Sequence, residues 1–253
     1  MLENLRDNGI NLRMIFIVFI VLVLSLIAII VFISPSGGYL IVNESLILTN
    51  KRGRWSQISS LNKDVLSKKY SVYSSTGKTS NVSLNYSSNE WYYYDENYTD
   101  LSLKKVQAAY TKEFKKLKVA KYDVDFYNDN DDVYLKKIIG NKKIDTFKNS
   151  VIKSSYDLDN DGIIETIYTI TNQSLESGGG NFSSIFLVEG DSFAYKLDSD
   201  TKSPFLVRNI IDLDGNGKYE IIVSKGTVDV ATFDTCYQIY SISGGKIKKI
   251  KDC

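Results

Sequence analysis

Apolar residues follow one another without interruption from Met14 to Ile33, apart from Ser25. Such a run, at 1.5 Å per residue, crosses a hydrocarbon core of about 30 Å. It has no polar face, as a helix buried in a globular core would. A cleaved signal sequence has a shorter apolar region, about 7–15 residues, and a small-residue cleavage site that Val31-Phe32-Ile33-Ser34-Pro35 does not supply. The pattern predicts a cytoplasmic tail over 1–13 and an uncleaved transmembrane anchor over 14–34. Arg6 and Arg13 lie closer to the span than Lys51, Arg52 and Arg54. The amino terminus is therefore expected inside and the carboxy-terminal domain outside.

Beyond the anchor the period changes to that of strands. Ser34 to Gly38 is a short exit, and Tyr39–Val42 with Ser45–Thr49 reads as a first strand pair. Further short strands are predicted at Tyr70–Tyr73, Val82–Tyr86 and Trp91–Tyr94. Their tyrosines read as half-buried sheet surface, with a glycan-stacking face as the rival. Leu103, Val106, Tyr110, Phe114 and Leu117 recur at three- and four-residue steps after Thr99 and Asp100. That spacing predicts one soluble helix over Leu101–Lys118, closing an amino-terminal β region over 35–120. The acidic stretch Tyr122–Asp132 reads as a turn with weak cation affinity, ahead of a strand over Val133–Ile139. Two hairpin-like segments, Ile185–Tyr195 and Ile239–Lys249, align at an offset of 54 residues.

Two stretches carry candidate chemistry within the repeat region, 121–253. In Asp157-Leu-Asp159-Asn-Asp161-Gly162-Ile163-Ile-Glu165, oxygen side chains alternate, a glycine follows the third, and an acid closes the loop. Asp212-Leu-Asp214-Gly-Asn216-Gly217-Lys218-Tyr-Glu220 repeats this at an offset of 55. A hard cation takes six to eight oxygens at about 2.3–2.6 Å, which such a loop supplies from positions one, three, five and nine. The carbonyls of Ile163 and Lys218 would add position seven. Calcium is the ion this donor set suits. An EF-hand also needs a glutamate at position twelve, where Tyr168 and Val223 stand. Strand-like runs follow each loop, Ile163–Ile170 and Tyr219–Val223. A nine-position acidic loop leading into a strand resembles the FG-GAP and VCBS families, whose blades build the propeller of integrin α subunits. The resemblance covers about residues 150–253, and the Phe-Gly and Gly-Ala-Pro parts of the FG-GAP signature are absent. With the aligned hairpin-like segments, each unit reads as loop, strand, variable connection and hairpin, the order of a propeller blade, and ligand sites are expected in the connections Asn172–Asn181 and Lys225–Asp234. Two units do not close a ring of four to eight blades. The expectation is an open β domain in which two blade-like sheets pack on the amino-terminal half, capped by the helix; divergent blades in that half are the alternative.

Gly244-Gly245 is a hairpin turn, and counting outward from it sets Cys236 opposite Cys253. A disulfide is expected there, which suits an oxidising compartment. A net charge of +1 argues against nucleic acid as a partner. The chain has no histidine, which removes the usual general base of acyl-transfer sites, and neither phosphate loop nor zinc spacing is present. The fold expected is mainly β, and the function that of a non-enzymatic binding or adhesion module on the outer face of a bacterial membrane. Its partner would be a protein or an envelope polysaccharide. The alternatives are a cell-surface glycan-acting enzyme using a carboxylate pair, and a non-catalytic subunit of a membrane complex.

Overall fold

The computed structural model describes residue 20 and residues 37–43, 46–51, 54–58, 62–74, 76–88, 90–101, 106–114, 116–139, 148–172, 182–189, 193–200, 203–226, 235–243 and 246–253. The expected membrane span lies outside the described residues, except for the helical Ile20. Among the described residues no helix is long and apolar enough to cross a membrane. Residues Gly38–Cys253 form one compact unit, and it is mainly β.

Seven antiparallel strands make the first sheet: β1 (Gly38–Val42), β2 (Leu46–Lys51), β3 (Arg54–Gln57), β4 (Lys69–Ser74), β5 (Gly77–Ser87), β6 (Glu90–Tyr94) and β7 (Val106–Thr111), in the order β3-β2-β1-β7-β4-β5-β6. Short β8 (Lys118–Val119) and β9 (Asp123–Phe126) then lead into two meanders. The first is β10 (Val151–Tyr156), β11 (Glu165–Asn172), β12 (Phe182–Glu189) and β13 (Phe193–Asp200). The second is β14 (Phe205–Asp212), β15 (Glu220–Gly226), β16 (Thr235–Ser243) and β17 (Lys246–Lys251). Strand β9 adds to β10 to give a second sheet, β13-β12-β11-β10-β9. Strand β8 adds to β14 to give a third, β17-β16-β15-β14-β8.

Burial shows how the sheets stack. On one face of the third sheet, Ile211, Ile222 and Ile239 pack with Leu40, Leu48 and Tyr110 of the first. On the other face, Ile210, Ile221, Val223 and Tyr240 pack with Ile167, Ile185 and Leu187 of the second. The sheet latest in the chain is therefore the middle layer of three, in an open stack rather than a closed ring. Each outer face is covered in turn. Helix α1 (Lys63–Leu66) seats Val65 in a cluster with Tyr70, Val82 and Tyr93. Helix α2 (Asp132–Ile139) seats Leu135 against Val151, Tyr168 and Phe186.

Two expected elements are replaced. In place of a helix over Leu101–Lys118 stands strand β7, bonded on both sides, to β1 and β4, followed by a 3-10 turn at Lys112–Phe114. A central strand buried on both faces loses its polar alternation, so Val106, Tyr110 and Phe114 mimic a helical stripe. In place of a strand over Val133–Ile139 stands α2. Asn128 caps the turn before it in a reciprocal capping box with Asp131, and the acids there face the positive end of the helix.

The Cys236–Cys253 disulfide is formed, with Cα atoms 5.4 Å apart. The ladder keeps the register set by the turn from Ser243↔Lys246 to Tyr240↔Lys249, then a bulge shifts it at Ile239. The two cysteines are thus joined just beyond the last paired residues.

Candidate functional site

Each acidic loop joins the first and second strands of a meander, β10 to β11 and β14 to β15. In the first loop the Asp157 carboxylate accepts the N–H of Asp161 (3.1 Å) and of Gly162 (3.1 Å), and Asp161 Oδ1 accepts the N–H of Ile163 (2.8 Å). Asn160 and Gly162 hold φ of 62° and 91°, so the chain turns back and aims its acids inward. Glu165 Oε2 closes the loop by accepting the N–H of Leu158 at 2.6 Å.

These bonds bring Asp157, Asp159 and Glu165 together, with ligand oxygens within 4.8 Å of one another. Oδ1 of Asp159 is buried and has no hydrogen-bond partner. Glu165 is only 2 % exposed and stands opposite Glu189 on the β11–β12 ladder, where like charges destabilise a sheet. Burial, with the charges of Asp159, Asp157 and Asp161 adding to it, pushes the Glu165 carboxyl up to about 7. Crowded, partly desolvated carboxylates with an orphaned oxygen are what a bound cation would relieve. The residues present fit a hard divalent ion.

The second loop repeats the backbone path. Asp212, fully buried, accepts from Gly215 (2.7 Å), Asn216 (3.1 Å) and Gly217 (3.1 Å). Glu220 Oε2 accepts the N–H of Leu213 at 2.9 Å, and burial, reinforced by Asp214 and Asp212, pushes its carboxyl up to about 7. Its third donor differs. Asn216 spends its amide on Asp214 (Nδ2 to Oδ2, 3.0 Å) and its oxygen on the N–H of Lys218 (2.7 Å). Among the described residues, Asp212, Asp214 and Glu220 do not converge as the first loop's acids do.

The loops touch. Tyr219 donates its N–H to the Leu158 carbonyl at 2.7 Å, and its ring meets the edge of Tyr156 at 4.8 Å between centroids. Asp159 and Glu165 line a small gap between the second and third sheets. Asp214 and Glu220 line a cleft of about 690 Å³ between the third and first sheets, walled by Trp55, Phe114, Glu113 and Ser241. No short motif marks those last four, because they converge from distant parts of the chain. The close approach of Gly38 to Phe114 and Glu113 is the trace they leave: a Cβ there would lie 2.6 Å from a ring carbon of Phe114 and 2.8 Å from the Glu113 Cβ.

The acidic stretch before α2 is committed internally. Asp131 accepts from Tyr168 Oη (2.8 Å), Asn128 N (2.6 Å) and Lys153 Nζ (3.1 Å), so its oxygens are already engaged. The connections after β11 and β15 lie outside the described residues, apart from their first residues. No protein-family model, curated protein or solved structure matches the chain.

Proposed function

We propose that the chain is a membrane-anchored, outward-facing β domain, stiffened by calcium, which serves as a binding or adhesion module for a protein partner or an envelope polysaccharide. The observation that carries the ion is the orphaned Oδ1 of Asp159 among converging carboxylates. Asp157, Asp159, Asp161 and Glu165, with the Ile163 carbonyl, would hold one ion, and Asp212, Asp214, Asn216, Glu220 and the Lys218 carbonyl a second, weaker one. The likeness of both loops to FG-GAP and VCBS loops supports this, as does the placing of each loop within a four-stranded, blade-like meander. The disulfide agrees with an oxidising compartment, and the apolar run Met14–Ile33 supplies the anchor. An ion bound only by the folded state stabilises it by RT ln(1 + [L]/Kd), about 2.7 kcal/mol at a hundredfold excess over Kd.

The test is a thermal melt of the full-length chain in detergent micelles, with calcium and with chelator. Calcium should raise the midpoint by several degrees. Asp159→Ala should abolish most of that gain and Asp214→Ala a smaller part, while in chelator Asp159→Ala should melt no lower than the parent. Equal midpoints with and without calcium would refute the ion.

A second reading, a glycan-acting surface enzyme, draws on the cleft between the first and third sheets, where Glu113, Asp214 and Glu220 meet the Trp55–Phe114 stack (5.5 Å). Two acids about 5–10 Å apart are the requirement. Hydrolysis of cell-wall polysaccharide that is lost in Glu113→Gln, an exposed acid of the cleft outside both loops, with the midpoint unchanged, would favour it.

A further inference from the structure

Opposite edges of the second sheet complement each other. At one edge, β9 (Asp123-Val124-Asp125-Phe126) alternates acids with apolar side chains, and all four residues are exposed. Val124 is 59 % and Phe126 69 % exposed, and as residues two apart they share one face of the strand. Burial normally removes such a pair from water, and an edge strand offers unpaired backbone groups beside them. At the other edge, β13 and β17 border a groove of about 480 Å³. Leu197, Ile247, Tyr195 and Tyr240 give it an apolar lining, and Lys196, Lys246 and Lys249 stand around it. Lys249 is neutralised by Asp198 (2.8 Å) and Asp252 (3.3 Å). Lys196 and Lys246 are exposed, and no ion pair engages them among the described residues.

We propose that this groove receives strand β9 of a second copy of the chain, so that the second sheet continues from one molecule into the next. Val124 and Phe126 enter the apolar lining, Asp123 meets Lys196 and Lys246 while Asp125 stays with Lys153 (3.5 Å) and the Phe126 N–H (2.8 Å), and the backbone pairs along an edge strand as in strand addition. Knob and groove lie on opposite edges of one sheet, so the contact is head-to-tail rather than a symmetric pair, and each bound copy leaves a knob and a groove for further copies. A four-residue strand buries less than the roughly 1,000 Å² that marks a stable interface. The association is therefore weak in dilute solution and favoured where copies are concentrated on one surface. It does not depend on the cation.

The experiment is sedimentation of the full-length chain in density-matched detergent over a wide concentration range. The weight-average mass should rise with concentration and pass that of a dimer. Val124→Thr with Phe126→Thr, and separately Lys196→Glu with Lys246→Glu, should each weaken association tenfold or more at an unchanged melting midpoint. If the lysine pair lowers the midpoint, Lys196→Gln with Lys246→Gln replaces it. An equimolar mixture of the two defective proteins should recover a dimer and stop there, since one intact knob and one intact groove remain. A constant mass overturns the proposal and leaves the edge lysines as guards against pairing. Association that survives both double substitutions overturns it too, by placing the contact elsewhere. So does a mixture that forms no dimer, because β9 would then be pairing with itself.

Discussion

Asp131 and Lys153 show how a single buried contact orders its surroundings. Both are nearly inaccessible, at 4 % and 7 % exposed, and they meet at 3.1 Å, with Asp125 3.5 Å from the same ammonium. Removing one partner of such a pair strands a buried charge. Lys153→Met should therefore cost about 3–5 kcal/mol in urea denaturation, and adding Asp131→Asn should return part of the loss. Glu165 and Glu220 behave differently, because burial raises each from 4.5 to about 7. The folded state holds those protons more tightly than the unfolded chain, so without cations stability should fall as pH rises from about 4.5 through about 7. A cation competes with the same protons, and its benefit should grow across that window. Midpoints taken at about pH 5 and about pH 8, with calcium and with chelator, check both signs. A gap that narrows toward alkaline pH would contradict them. The alternating acids of both loops were legible in the sequence because ligand spacing is local. The distinction between the loops was not, since it depends on how Asn216 turns its amide toward Asp214.

Among elements, those readable from the chain are the ones whose pattern is decided by near neighbours. Strands β1 and β2 announce themselves as β-branched runs, and they pair as Gly38↔Asn50 through Val42↔Leu46. The terminal hairpin is equally local, and its bulge at Ile239 leaves the cysteines within reach. That bridge spans 17 residues, for which chain entropy gives about 3 kcal/mol. Replacing both cysteines by serine should lower stability by about that amount in chemical denaturation, with β17 exchanging its amide hydrogens earliest. Strand β7 and helix α2 were misread for a common reason. The burial of Ala108 and Ala109 is set by β1 and β4, far away in the chain, and tertiary contacts override the helical preference of alanine. Leu135 likewise finds its neighbours Val151 and Phe186 only across the second sheet.

For the whole molecule, the mainly β class follows from periodicity, whereas the order of the layers follows from pairings that no window of sequence contains. The third sheet, formed by residues from Phe205 onward and by β8, supplies one apolar face to each of the other two. A chain emerging in sequence order from a ribosome or a translocation channel therefore holds two unfinished sheets, each with Ile- and Leu-rich surface still wet, until β14 to β17 follow. Contacts of such large sequence separation close slowly, and waiting apolar faces invite association with other nascent chains. Holding factors at the site of emergence, rather than intrinsic speed, would then set the yield of folded protein.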